Sequence, residues 1–220
     1  MLDLAPNSSG NRFRAQRFAL FRALLDEVLA GLPAGETCRV LDIGGTAGYW
    51  DAFGGDLPWE RISVTITNLT AQETQGSPVR AVVGDARSMP DFADGSFHIV
   101  HSNSVIEHVG RWRDMQAMAG EVRRLARAYF VQTPYFWFPI EPHARTPFVQ
   151  FLPEPLRYRL FMTRLNGFYA KATDLSHAMD MIQDANLLDR SQMRALCPDA
   201  DIRAERAFGL IKSLIAIRRP

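Results

Sequence analysis

Apolar and polar positions follow two different periods along the chain, and each change of period marks a new element. Between residues 11 and 30, Phe13, Phe18, Phe21, Leu24, Leu25, Val28 and Leu29 recur every three or four positions, the spacing of one helix face. Gly31 and Pro33 stop that helix. Residues 39–43 (RVLDI) then form a short apolar run, and Gly44, Gly45 and Gly48 follow at once. Residues 61–67 (RISVTIT) are β-branched and alternating and read as a second strand; residues 79–83 read as a third and 96–102 as a fourth. Thr70 and Glu73 have capping-box spacing, which predicts a short helix after strand two. Residues 111–127 return to helical spacing through Trp112, Met115, Met118, Val122 and Leu125, and residues 128–132 form a fifth strand. Strands alternating with helices imply a mostly parallel sheet covered on both faces. Residues 202–208 and 210–218 are separated only by a turn at Gly209, so they form an antiparallel hairpin that adds one reversed strand.

The stretch 129–169 breaks this rhythm. It holds twelve of the 23 aromatic residues and six of the 13 prolines. Proline at that density excludes a long helix or a central strand. The region reads as an irregular insertion packed by its own aromatics, and ordered insertions of this length are often functional lids. Within it, residues 155–165 (PLRYRLFMTRL) mix apolar side chains with Arg157, Arg159 and Arg164. A lid helix with snorkelling arginines is favoured there over a segment resting on a membrane surface.

Composition changes the picture in a few places. The chain of 220 residues is read as one domain over 1–220, with an arm and helix at 1–34 and a lid or acceptor insertion at 133–175. Lys and Arg together number 25 and Asp and Glu 24, so bulk charge does not point to a nucleic-acid partner. All but two of the basic residues are arginines, the exceptions being Lys171 and Lys212. Arg145, Arg157, Arg159 and Arg164 stand beside the aromatic insertion, where they could meet an acidic acceptor. Cys38 and Cys197 alone make neither a disulfide framework nor a structural zinc site. The polar, Arg-bearing residues 7–17 are not expected to act as a secretory leader, and no apolar run is long enough to cross a membrane, so a cytoplasmic location is the expectation.

The most informative stretch is Val40-Leu-Asp42-Ile-Gly44-Gly45-Thr46-Ala-Gly48. A strand delivers the chain into a turn whose glycines let the backbone approach a ligand, at the carboxyl end of a strand, where ligands sit in open α/β sheets. The dinucleotide pattern G-x-G-x-x-G is missing. Here the chain resembles the class I S-adenosylmethionine (SAM)-dependent methyltransferases. Asp42, Gly44 and Gly48 match their first glycine motif, with Thr46 at the middle glycine. Val83-Gly84-Asp85-Ala86 matches the segment after strand three, and residues 94–109 match strand four and the turn beyond it. The resemblance covers about residues 35–132. It implies a Rossmann-like α/β fold with a seven-stranded, mostly parallel sheet, one antiparallel strand, helices on both faces and the insertion after strand five. It implies SAM as cofactor and Asp42, Gly44, Gly45, Gly48, Asn68, Asp85, Ala86 and Asn103 as cofactor-binding residues, with Asp85 accepting from the adenine amino group. Asn68 stands where the family often has an acid for the ribose hydroxyls, and His98 where an Asp is usual.

Methyl transfer from a sulfonium is a displacement at carbon, governed by alignment and exclusion of water. A base is needed only when the nucleophile must lose a proton. Candidates are His108, Glu107, His143, Glu141 and His177. Pro139 and Pro142 bracket Ile140 and Glu141, so His143 is read as an acceptor-side base or hydrogen-bond partner oriented by Glu141; His108 is a lesser candidate, and a structural role for the loop has equal weight. No clustered ligand set is visible along the sequence, so no metal is expected. The acceptor is read as a small molecule with apolar or aromatic parts, methylated at oxygen, with no nucleic acid and no favoured membrane contact; oligomeric state is left open. The alternatives are a SAM-binding scaffold without catalysis and an RNA or protein methyltransferase.

Overall fold

A computed structural model describes residues 9–220, with side chains from residue 11 onward. Seven strands make one sheet: β1 (Cys38–Ile43), β2 (Ile62–Asn68), β3 (Val79–Val83), β4 (Ile99–Asn103), β5 (Ala128–Pro134), β8 (Asp201–Ala207) and β9 (Leu210–Arg218). Their order is β3-β2-β1-β4-β5-β9-β8. β1 runs parallel to β2 and to β4, and β2 runs parallel to β3. β8 and β9 form an antiparallel hairpin, joined by Phe208 and Gly209, both at positive φ (51° and 80°). That is the backbone a two-residue hairpin requires.

The order turns between β1 and β4, so the loops after those strands lie at the switch point where an open parallel sheet takes its ligand. The chain divides into two compact units. The first takes in the chain up to Asn103, Ala117–Val131 and Ile217–Pro220; the second takes in Ser104–Gln116 and Gln132–Ala216.

In the first unit, helix α1 (Ser9–Gly31) buries Phe18, Phe21, Leu24, Leu25, Val28 and Leu29, the face read from its periodicity. Helix α2 (Ala47–Phe53) follows β1 directly and buries Tyr49 and Trp50. Helix α3 (Trp112–Leu125), whose residues up to Gln116 are assigned to the second unit, buries Met115, Met118, Val122 and Leu125, while Trp112, at its first turn, stays 38% exposed. The short helix expected after β2 is not formed; residues 69–78 are irregular. Thr70 and Glu73 have the capping spacing, but no apolar run follows them. Gly76 sits at φ 80° and Pro78 comes two residues later, which leaves no room for a turn of helix.

The second unit holds the insertion. Strands β6 (Ile140–Glu141) and β7 (Thr146–Pro147) pair antiparallel as a two-rung ladder. A 3-10 turn at Val149–Phe151 leads to α4 (Glu154–Thr163), then α5 (Leu175–Gln183) and α6 (Arg190–Leu196). Pro155 stands in the first turn of α4, where its missing N–H costs no hydrogen bond. Of the residues of α4, only Phe161 is fully buried, so the helix is less amphipathic than its sequence implied. Phe161 packs with Val149, Ala178, Met181 and Ile182 as a separate small core. Asp174 caps α5 by accepting from the His177 backbone N–H, and Asp189 and Gln192 form a full capping box on α6.

Candidate functional site

The glycine loop is shaped from below by Asp42. This carboxylate is 1% exposed and both its oxygens are used inside the protein. Oδ1 faces His101 Nδ1 at 2.7 Å, and Oδ2 accepts from Trp50 Nε1 at 2.8 Å. His101 comes from β4, directly opposite Asp42 in the β1–β4 register. Its ring stacks on Phe130 (5.4 Å, 15°) and Tyr49 (5.6 Å, 26°), with Phe21 and Trp50 edge-on. Asp42 therefore fixes the loop from within and presents no free oxygen outward.

Two glycines are required by contact. A Cβ on Gly45 would collide with Asp42 Oδ2, and one on Gly84 would lie 2.7 Å from Thr67 Oγ1. Gly44 adopts φ 74°, and its N–H donates to the Thr67 carbonyl at 2.8 Å, tying the loop to the end of β2. Gly48 lies in the first turn of α2 with open space at its Cβ position. Asn68 donates to the Gly45 carbonyl at 2.8 Å, so the residue standing in place of the ribose acid also braces the loop. Beside it, Thr67 Oγ1 is buried without a hydrogen-bond partner. An orphaned hydroxyl at the carboxyl end of β2, next to glycines cleared of side chains, fits a polar ligand such as the SAM ribose.

Asp85 sits in the turn after β3, closed by the Ser88 N–H on the Asp85 carbonyl. Arg87 donates to its carboxylate from the backbone N–H, Nε and Nη2, at 2.6–3.0 Å. Those bonds hold Asp85 below the usual carboxylate range, ionised and oriented, with the group still partly exposed. Ala86 lies within the same turn. Behind it, Glu121 accepts from the Met89 N–H and from Arg124, and Arg124 also reaches Asp94 and the carbonyls of Met89 and Phe92. This network fastens the turn's exit to α3. At the end of β4, Asn103 Oδ1 accepts from Arg17 Nη1 at 2.6 Å, so α1 contributes a buried arginine that sequence reading did not single out.

The second unit assembles the other candidates. His143 Nδ1 faces Glu141 Oε1 at 2.7 Å, and the other Glu141 oxygen accepts from the Ala144 N–H. The β6–β7 ladder holds Glu141 opposite Thr146, which fixes the short loop that carries His143. His108, on the 3-10 turn Ile106–His108, has its Nδ1 3.0 Å from the Asp184 carbonyl and its Nε2 3.1 Å from His143 Nε2. Glu107 on the same turn is completely buried, and Thr133 donates to its Oε2. Burial pushes the Glu107 carboxyl up. Burial opposes charge on His143, but the Glu141 bond and the carboxylates of Glu141, Glu107 and Asp184 outweigh it and raise its pKa. Glu107, His108 and His143 each bring one ligand-type atom within 4.8 Å of the others, a cluster the sequence conceals because 35 residues separate the two histidines. His177 is not part of it; its Nδ1 accepts from the Thr173 N–H beside the α5 cap.

The insertion also frames open space. A cleft of about 490 Å³ is lined by Trp112, Phe136, Glu154, Arg157, Asn186 and Gln192 among others. Arg157 and Gln150 also line a smaller cavity with Glu141 and Tyr169, and Arg157 Nε is buried there without a partner. Arg145, by contrast, lies over the Phe168 ring at 4.1 Å. Among the described residues no helix is long and apolar enough to cross a membrane.

Residues 31–128 match the family described as methyltransferase domain. No curated protein matches the chain. Among solved structures it is similar to the CurJ carbon methyltransferase (14% identity, 86% of this chain and 50% of that one, TM-score 0.53). It is similar to the PH0226 protein from Pyrococcus horikoshii (18%, 99% and 93%, TM-score 0.55). It is also similar to the N-terminal domain of EvdMO1, solved with SAH bound (14%, 96% and 84%, TM-score 0.54). The chain spans half the length of the CurJ protein. At these identities the likeness to solved structures is one of fold.

Proposed function

We propose that this chain, whose residues 31–128 match a methyltransferase domain family and whose motifs resemble the class I SAM-dependent methyltransferases, carries the methyl group of SAM to an oxygen of a small-molecule acceptor. When bound, SAM supplies an electrophilic sulfonium methyl. In this reading the cofactor is held by the glycine loop Gly44–Gly48 with Asn68, Thr67, Asp85, Ala86 and Asn103. Asp42 positions the loop. Asp85, kept ionised by Arg87, accepts from the adenine amino group, and Thr67 Oγ1 or Asn68 meets a ribose hydroxyl.

The observation that carries the acceptor assignment is the histidine pair. A ring whose Nδ1 is held by a carboxylate at 2.7 Å presents its Nε2 in a fixed direction, as a group that receives a hydroxyl hydrogen must. His143 takes the acceptor's hydroxyl, Glu141 orients the ring, and His108 shares the same point in space. The unpartnered Arg157 Nε and the aromatic wall of the neighbouring cleft support an acceptor with an apolar or planar body and a group that accepts hydrogen bonds. Release of S-adenosylhomocysteine across a panel of hydroxylated small molecules tests the reading. A hydroxylated acceptor whose turnover falls with His143→Ala supports it; amine or carbon acceptors alone, or turnover indifferent to that change, count against it.

A further inference from the structure

The hydrogens on the two imidazoles can be assigned from their partners. His108 Nδ1 faces a main-chain carbonyl, which only accepts, so that nitrogen carries a hydrogen. His143 Nδ1 faces the Glu141 carboxylate and donates to it. A neutral imidazole has one N–H, so both Nε2 atoms are left as bare lone pairs, and they stand 3.1 Å apart. Two lone pairs at that distance repel unless something positive lies between them. A single shared proton would reconcile the two nitrogens. It would leave a third group unexplained: Glu107 Oε1, fully buried and without any hydrogen-bond partner beside them. A divalent cation satisfies all three at once.

We propose that Glu107, His108 and His143 form a binding site for a first-row divalent transition metal ion, with zinc as the best match. Two imidazoles and one carboxylate are a donor set suited to zinc and its neighbours and poor for magnesium or calcium, which prefer oxygen alone. Two nitrogens bound to one tetrahedral zinc stand about 3.3 Å apart, close to the separation found. The Glu107 oxygen, within 4.8 Å of both nitrogens, closes the set by a displacement of up to roughly 1.5 Å. The outer partners are already in place. Glu141 and the Asp184 carbonyl hold the two Nδ1–H groups, and Thr133 holds the second Glu107 oxygen, which is how ligand rings and carboxylates are oriented at metal sites. Three protein ligands leave a coordination position open. On the acceptor reading above, an acceptor oxygen would take that position; the ion would then occupy the Nε2 lone pair assigned there to the hydroxyl hydrogen, and that hydrogen would leave to solvent from an acceptor acidified by the cation. Only this consequence rests on that reading; the binding of the ion does not.

The test uses the full chain, untagged and stripped with chelator, without cofactor or acceptor. Calorimetric titration with zinc, and visible absorption on titration with cobalt, should each give one ion per chain. His143→Asn, His108→Asn and Glu107→Gln should each weaken zinc binding at least a hundredfold. Glu141→Gln, which removes an outer partner, should weaken it about tenfold. Circular dichroism and S-adenosylhomocysteine binding certify that each variant is folded, and the judgement is made on the folded ones, with the exposed His108 the variant best tolerated. No stoichiometric zinc site, or folded His108→Asn and Glu141→Gln variants that bind zinc like the parent, would overturn the proposal. That failure would leave methyl transfer standing, since it is measured separately.

Discussion

Two histidine–carboxylate pairs in this chain share a bond length and little else. His101–Asp42 and His143–Glu141 both close at 2.7 Å. The first is 1–2% exposed, and its imidazole is enclosed by Phe21, Tyr49, Trp50 and Phe130; the remaining oxygen of Asp42 is taken by Trp50. The second is 18% and 11% exposed, and its free nitrogen meets another imidazole and a buried carboxylate. The same interaction holds a loop in one place and, in the other, fixes a ring whose second nitrogen faces other polar groups. What decides is the surroundings of the nitrogen that the carboxylate leaves free. Enclosed by aromatic rings, the His101 nitrogen has no partner; the His143 nitrogen stands beside an imidazole and a buried carboxylate.

The comparison breaks first at Asp42. Asp42→Ala strips His101 and Trp50 of a buried partner and should cost about 3 kcal/mol of stability in urea unfolding. His143→Ala should cost less, about 1 kcal/mol, because its ring is 18% exposed and not enclosed as His101 is. If the two cost the same, the distinction between a building pair and a working pair fails. On activity the order reverses: His143→Ala should lower turnover of a hydroxyl acceptor by about a hundredfold, read as S-adenosylhomocysteine release, with cofactor affinity unchanged. Gly45→Ala, which drives a methyl into Asp42 Oδ2, should weaken cofactor binding by at least about tenfold in calorimetry, through the loop alone.

A smaller effect concerns the turn behind Asp85. Arg124 and the Met89 N–H hold Glu121 below the ordinary glutamate value of 4.5. A carboxylate depressed by folding contributes stability that is fully present above its unfolded pKa and is lost as pH falls through its folded pKa. Glu121→Gln should therefore reduce stability by about 1 kcal/mol at pH 7, and the difference from the parent should shrink as pH falls below 4.5.

The local part of this account was legible from the chain alone. Asp42, Gly44 and Gly48 announce a strand-to-helix turn by spacing, and the Phe and Leu periodicity of α1 announces its buried face, because both are set by neighbours in sequence. The pairing of Asp42 with His101 was not, since it depends on the β1–β4 register. Nor was the triad, because Glu107 and His108 meet His143 only through the fold of the insertion. Thr70 and Glu73 misled for the opposite reason: a local signal was present, but Gly76 and Pro78 left the helix no length. The Asp189–Gln192 capping box was equally local and marks a real helix.

The central proposal is that SAM is bound by residues of the first unit and that His143 serves the acceptor and not the cofactor. Calorimetric titration with S-adenosylhomocysteine measures this directly. One molecule should bind per chain, equally well in the parent and in His143→Ala, and at least about tenfold more weakly in Asp85→Ala. No binding by the parent, or binding that survives Asp85→Ala and is lost with His143→Ala, would contradict the account.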